Sequence, residues 1–104
     1  MLHHIVLMDP DGPEGLARIE AAMPILADLC EALPGASGFL HGPNRDYEGK
    51  SARYTYGFSI NFTDRAAHLV YDGHPEHQRA GGMLVAGSRG GHQGIFVADL
   101  EMPT

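Results

Sequence analysis

The segment "YDGHPEHQ", Tyr71 to Gln78, carries the densest chemistry in the chain: a phenol followed by two imidazoles placed around a proline. Proline is well suited to the first position of a helix, where its missing N–H costs nothing. With Pro75 there, His74 is the helix cap and His77 the third helical residue. The positive partial charge of a helix N-terminus disfavours a protonated imidazole. His77 is therefore expected to be neutral near pH 7, the form a general base needs. Tyr71 can orient that ring or donate its hydroxyl to a developing enolate oxygen. His4, on a strand, can supply a second donor. Removal of a proton next to a carbonyl needs only these parts.

Each residue also has a structural reading. His74 is explained as a cap alone, and His77 as a polar side chain with a backbone partner. Tyr71 fits a core position, and His4 fits an ordinary strand residue. A metal site is a competing chemical reading. His74 and His77 are spaced i, i+3, and His3, His4 or His92 can add ligands. No cysteine pair or His-Glu helix motif supports it, so no metal and no cofactor is expected. His3, His41, His68 and His92 read as surface or loop positions. Asp99 and Glu101 read as caps or ion-pair partners at a sheet edge.

The elements that must position these groups follow from periodicity. Leu2 to Met8 is a strand closed by "DPDGP". Leu2, Val6 and Met8 lie on one of its faces and Ile5 and Leu7 on the other, so it wants cover on both sides. From Pro13, apolar Leu16, Ile19, Met23, Leu26, Cys30 and Leu33 recur at steps of three and four, which is one stripe of a helix. Pro24 is expected to kink it, and "LPG" ends it. Ala36 to His41 is a second strand and "GPNRDYEGK" a polar loop. Arg53 to Phe62 then alternates, with Tyr54, Tyr56, Phe58, Ile60 and Phe62 on one face.

Thr63 or Asp64 can cap the next helix, which is expected to bury Ala67, Val70 and Tyr71. Gly73 breaks it and Pro75 starts another, weakened by Gly81, Gly82 and Gly87 at about 1 kcal/mol each against alanine. "RAGGMLVAGSRGG" reads either as ordered helix or as a lid. Ile95 to Leu100 is the last strand, apolar on both faces. The order β-α-β-β-α-(α)-β implies an α+β, ferredoxin-like sheet with helices on one face. Its other face is best covered by a second copy, giving a homodimer packed sheet to sheet.

Composition narrows the classes. One domain is expected from 104 residues. The net charge of −6 comes with scattered basic residues, which argues against a nucleic-acid partner. No apolar run reaches the roughly 20 residues needed to span a bilayer, so no membrane partner is expected. The N-terminus shows no signal-peptide pattern. The one cysteine, Cys30, cannot form an intrachain disulfide, which fits the cytoplasm.

"HHIVLM", "YGFSINFTD", "YDGHPEHQ" and "GIFVADLE", in that order, resemble the stress-responsive A/B barrel (Dabb) domain family over nearly the whole chain. Tyr-x-x-His-Pro-x-His is the most specific element. The resemblance implies a dimeric α+β barrel. It also implies, through a plant polyketide cyclase of the family, an aldol-type ring closure without metal or organic cofactor. By motif position that cyclase's base falls on His77, its tyrosine on Tyr71 and its first-strand histidine on His4. A further histidine on its middle strand falls on Tyr56, where this sequence departs. The expected site is thus His77, Tyr71 and His4 for catalysis, with Tyr56, Phe58 and His74 contacting a small apolar carbonyl ligand. The alternative is a structural or ligand-binding dimer without chemistry.

Overall fold

The computed structural model describes residues 1–103. Its elements are β1 (Leu2–Met8), α1 (Gly12–Ala32), β2 (Ala36–Pro43), β3 (Tyr56–Phe62), α2 (Arg65–Asp72), α3 (Pro75–Gly87), a 3₁₀ turn (Gly91–Gly94) and β4 (Ile95–Glu101). The strands form one antiparallel sheet in the order β2-β3-β1-β4, the ferredoxin-like arrangement. No helix among the described residues is long and apolar enough to cross a membrane.

Register assigns the two sheet faces. Antiparallel partners point the same way. His4 lies between Ile60 and Asp99, Val6 between Phe58 and Val97, and Met8 between Tyr56 and Ile95. These residues look toward the helices, where Met8, Ile60 and Phe62 are fully buried with Ile19, Met23 and Leu26 of α1. The opposite face carries Ile5 and Leu7 on β1, Ser59 and Gly57 beside them on β3, and Phe96 and Ala98 on β4. This face has no helix over it, so the single chain does not supply the second cover that the two-sided pattern of β1 and β4 calls for.

Two expectations are corrected. β3 begins at Tyr56 rather than Arg53, because residues 44–54 form turns built on Asp46, which accepts from the backbone of Lys50 and Ser51. Tyr54 instead rests against Phe96 at 5.8 Å. On α2, Val70 is 59% exposed, and His68 is buried beside Tyr71. Positions 68 and 71 share a helix face at i, i+3, which leaves Val70 pointing outward. The helix expected from Pro75 runs on to Gly87, which settles residues 79–87 of the open segment as ordered helix. Gly87 has a packing reason: a Cβ there would meet the Gly15 carbonyl oxygen at 2.6 Å. The two glycines let α1 and α3 touch backbone to backbone.

Candidate functional site

A cleft of about 600 Å³ opens between the sheet and α2–α3. Its apolar wall is Val6, Phe58, Leu84, Val85, Ile95 and Val97, and its polar groups are His4, His68, His77, His92, Asp72 and Asp99. Gly81 and Gly82 form part of the rim, and a Cβ on either would meet nothing within 4 Å. The helix therefore leaves the space open where a side chain would fill it. Leucine at Gly81 is expected to raise helix stability by up to about 1 kcal/mol and to occupy the cleft. Thermal unfolding should show an unchanged or higher midpoint, and titration should show small apolar ligands lost.

The local sequence explains how His77 reaches this space. The His74 ring accepts the Glu76 N–H at 3.0 Å, and Pro75 sets the first helical turn. His77 then projects from the third position toward the sheet. Its ring lies 4.6 Å from that of Tyr71, tilted by 58°. Nδ1 is buried without a hydrogen-bond partner, and Nε2 stands 3.8 Å from an Asp72 carboxylate oxygen. Burial holds the His77 imidazole below its ordinary range, with His4 adding to the effect and Asp72 opposing it. Desolvation thus acts in the same direction as the positive helix end.

Tyr71 is 1% exposed and lies behind the cleft rather than on its wall. Burial pushes its hydroxyl far above the usual range, so it stays protonated and can only donate or accept a neutral hydrogen bond. Burial also pushes the Cys30 thiol up to about 11, which leaves it inert as a nucleophile.

His4 is buried on β1, and its Nδ1 donates to Asp99 Oδ1 at 2.5 Å. A carboxylate only accepts, so this bond puts the hydrogen of a neutral His4 on Nδ1 and leaves a lone pair on Nε2. In that form His4 is an acceptor toward the cleft, where a donor was expected. Asp99, on the helix-side face of the edge strand β4, is paired as expected, its partner is His4, and both line the cleft.

Of the residues expected to contact a ligand, Phe58 lines the cleft. Tyr56 and His74 are placed elsewhere. The Tyr56 hydroxyl is joined to His41 Nδ1 at 2.6 Å, and His74 is committed to its cap. The residues not foreseen are His68 and His92, both read as surface or loop positions. His68 is buried, 4.8 Å from His4 between ring centres. His92 reaches the cleft from the 3₁₀ turn. The metal grouping that geometry offers is also different: ligand atoms of His4, His68 and Asp99 lie within 4.8 Å of one another, and neither His74 nor His77 takes part.

One buried and one half-buried imidazole, both with lowered basicity, carry a pH signature. The pKa of His68 is lowered by burial, then by His4, while Asp99 opposes; that of His77 is lowered as described. Unfolded histidine binds protons below about pH 6.5, before the folded rings do. Stability should therefore be full above that pH and fall as the pH drops through it toward the folded values. The slope is at most about 1.4 kcal/mol per pH unit for each ring. Denaturant titrations between pH 7.5 and 5 should show it, and a His68→Gln, His77→Gln double variant should lack it.

The family model described as Stress responsive A/B Barrel Domain matches residues 2–101. The chain belongs to the Dabb family. The Dabb fold accounts for the sheet order, the helices on one face and the cleft between them. A search of curated proteins returned no match. Among solved structures, the Dabb chain resembles a dimeric ferredoxin-like protein of unknown function from Jannaschia sp. CCS1. The two are 55% identical over 97% of this chain and 98% of that one, with a TM-score of 0.94. It also resembles a dimeric ferredoxin-like protein of unknown function from Thermobifida fusca, at 15% identity, 97% and 90% coverage and a TM-score of 0.75. A hydroxynitrile lyase from Passiflora edulis matches at 13% identity, 98% and 93% coverage and a TM-score of 0.78. The last two likenesses concern the fold alone.

Proposed function

We propose that this Dabb chain is a homodimer in which each subunit binds a small, largely apolar carbonyl compound and moves a proton on it, with His77 as base. The observation that carries this reading is the cleft itself. An apolar wall converges on an imidazole whose Nδ1 is buried without a partner and whose basicity is lowered by burial. A purely structural His77 calls for a filled interior, and the open cleft favours the ligand reading over it, with the Asp72 backbone near enough to the ring to oppose the effect of burial. The chemistry needs neither metal nor organic cofactor, since a neutral imidazole takes the proton and nearby donors hold the oxygen. Tyr71 packs against the His77 ring and keeps it in place. Isomerisation or ring closure of a polyketide-like or aromatic carbonyl compound belongs to this reaction class.

Dimerisation is supported by the uncovered apolar sheet face and by the dimeric description of the Jannaschia protein. The test of the activity is proton exchange. Acetophenone and other enolisable aryl ketones are incubated with the protein in D2O, and loss of the α-hydrogen signal is followed by NMR. Exchange faster than in buffer supports the reading. Absence of exchange across such a panel, with no ligand retained in native mass spectrometry, sinks it.

A further inference from the structure

His68 and His4 line the same cleft, each held at Nδ1 by a group that dictates its tautomer. Arg65, three residues before His68 on α2, places its guanidinium Nη1 2.5 Å from His68 Nδ1. A guanidinium only donates, so His68 Nδ1 must accept. A neutral His68 then carries its hydrogen on Nε2. At His4 the polarity is reversed, because Asp99 accepts from Nδ1 and the lone pair is left on Nε2. The ring centres are 4.8 Å apart.

We infer that His68 and His4 form a fixed donor–acceptor pair that recognises a hydroxyl or enol oxygen of the ligand, accepting from His68 and donating to His4. Such an oxygen joins two hydrogen bonds of about 2.8 Å at a tetrahedral angle, spanning about 4.6 Å. Ring nitrogens of His4 and His68 come within 4.8 Å of each other and the ring centres are 4.8 Å apart, so one oxygen can reach both rings. The pairing also excludes an ether or ester oxygen at this point, which can accept but not donate. Burial and the neighbouring Arg65 both disfavour protonation of His68, so the donor is a neutral ring.

This inference rests on the cleft being a small-molecule site and adds the polar group its ligand must carry. It assigns His68 a ligand-contacting role and Arg65 a positioning role. It also separates the site from a metal centre. Nitrogens of the two rings are close enough to hold an ion with Asp99, but a His68 ring with hydrogen on Nε2 and Arg65 on Nδ1 has no lone pair left to give.

The test has two arms. Long-range ¹H–¹⁵N correlation of the ring nitrogens reads the tautomers directly. Hydrogen on Nε2 of His68 and on Nδ1 of His4 is expected, and Arg65→Leu, at an exposed position, should shift His68 to a mixture. Hydrogen on Nδ1 of His68 in the wild-type protein overturns the inference, as does micromolar Zn²⁺ binding through that ring. The second arm titrates phenol and anisole. Phenol should bind about tenfold more tightly; His4→Phe, which removes the acceptor that only phenol can use, should remove that advantage, while His68→Phe should weaken both ligands and leave it in place. Equal binding of the two by the wild-type protein overturns the inference and leaves the cleft reading standing. Binding of neither overturns the cleft reading itself, while the NMR arm still decides the tautomers.

Discussion

His77→Gln is expected to lower ketone α-proton exchange by 10²- to 10⁴-fold with the fold intact. That range is what a positioned general base contributes. Glutamine keeps the length and polarity of the side chain but has no nitrogen that takes a proton at neutral pH. The substituted position is the third of α3, where the cap by His74 and the turn set by Pro75 are unaffected. Stability should change little, because glutamine keeps a polar group beside the Asp72 backbone and the Nδ1 atom has no well-formed hydrogen bond. The decisive comparison is between exchange rate and unfolding midpoint. A lowered rate at constant midpoint places His77 in the chemistry. An unchanged rate moves the role of base to His4, whose Nε2 lone pair faces the same space. The pH profile separates the two further. Exchange through His77 should persist below pH 6.5, because burial keeps that ring neutral at lower pH than a free imidazole.

The parts of this site that were legible in the sequence are those set by local rules. The His-Pro-x-His segment placed a cap, a first helical residue and a third residue, and the structure has them in those positions. Period two along β1 put His4 on the same face as Val6 and Met8. What local rules do not contain is register. Asp99 follows Ile95 and Val97 by steps of two, so its face was readable, but its pairing with His4 depends on how β4 slides along β1. His68 was missed for another reason. The α2 helix is eight residues long, and Leu69 and Val70 suggest an apolar face that the structure leaves outside. Two turns give too few repeats to fix a phase. The useful signal was Tyr71, the one large residue of α2 that needed burial, which brings position 68 inward with it.

Ile5→Glu is expected to convert the dimer to a monomer. Ile5 lies on the central strand β1, on the face without helices, between the small residues Ser59 and Ala98. Its side chain therefore stands above its neighbours, in the middle of a surface that also includes Leu7, Leu40, Phe96 and Leu100. Leu40, Phe96 and Leu100 are 69%, 45% and 49% exposed in the single chain. Apolar residues gathered this way on one face mark an interaction surface. A two-fold interface brings each substitution in twice, once from each subunit. A central residue is worth about 2 kcal/mol, so the pair costs about 4 kcal/mol, or roughly 10³-fold in dissociation constant. Two carboxylates facing each other in that setting add repulsion and desolvation. The monomer itself should stay folded, since Ile5 is only partly buried within one chain and the core lies on the other side of the sheet. Val70→Glu, on the exposed side of α2, is the matched control and should remain dimeric. Sedimentation equilibrium of both variants decides the matter. A dimeric Ile5→Glu protein would move the interface off the sheet, and the barrel expected from two such sheets would go with it.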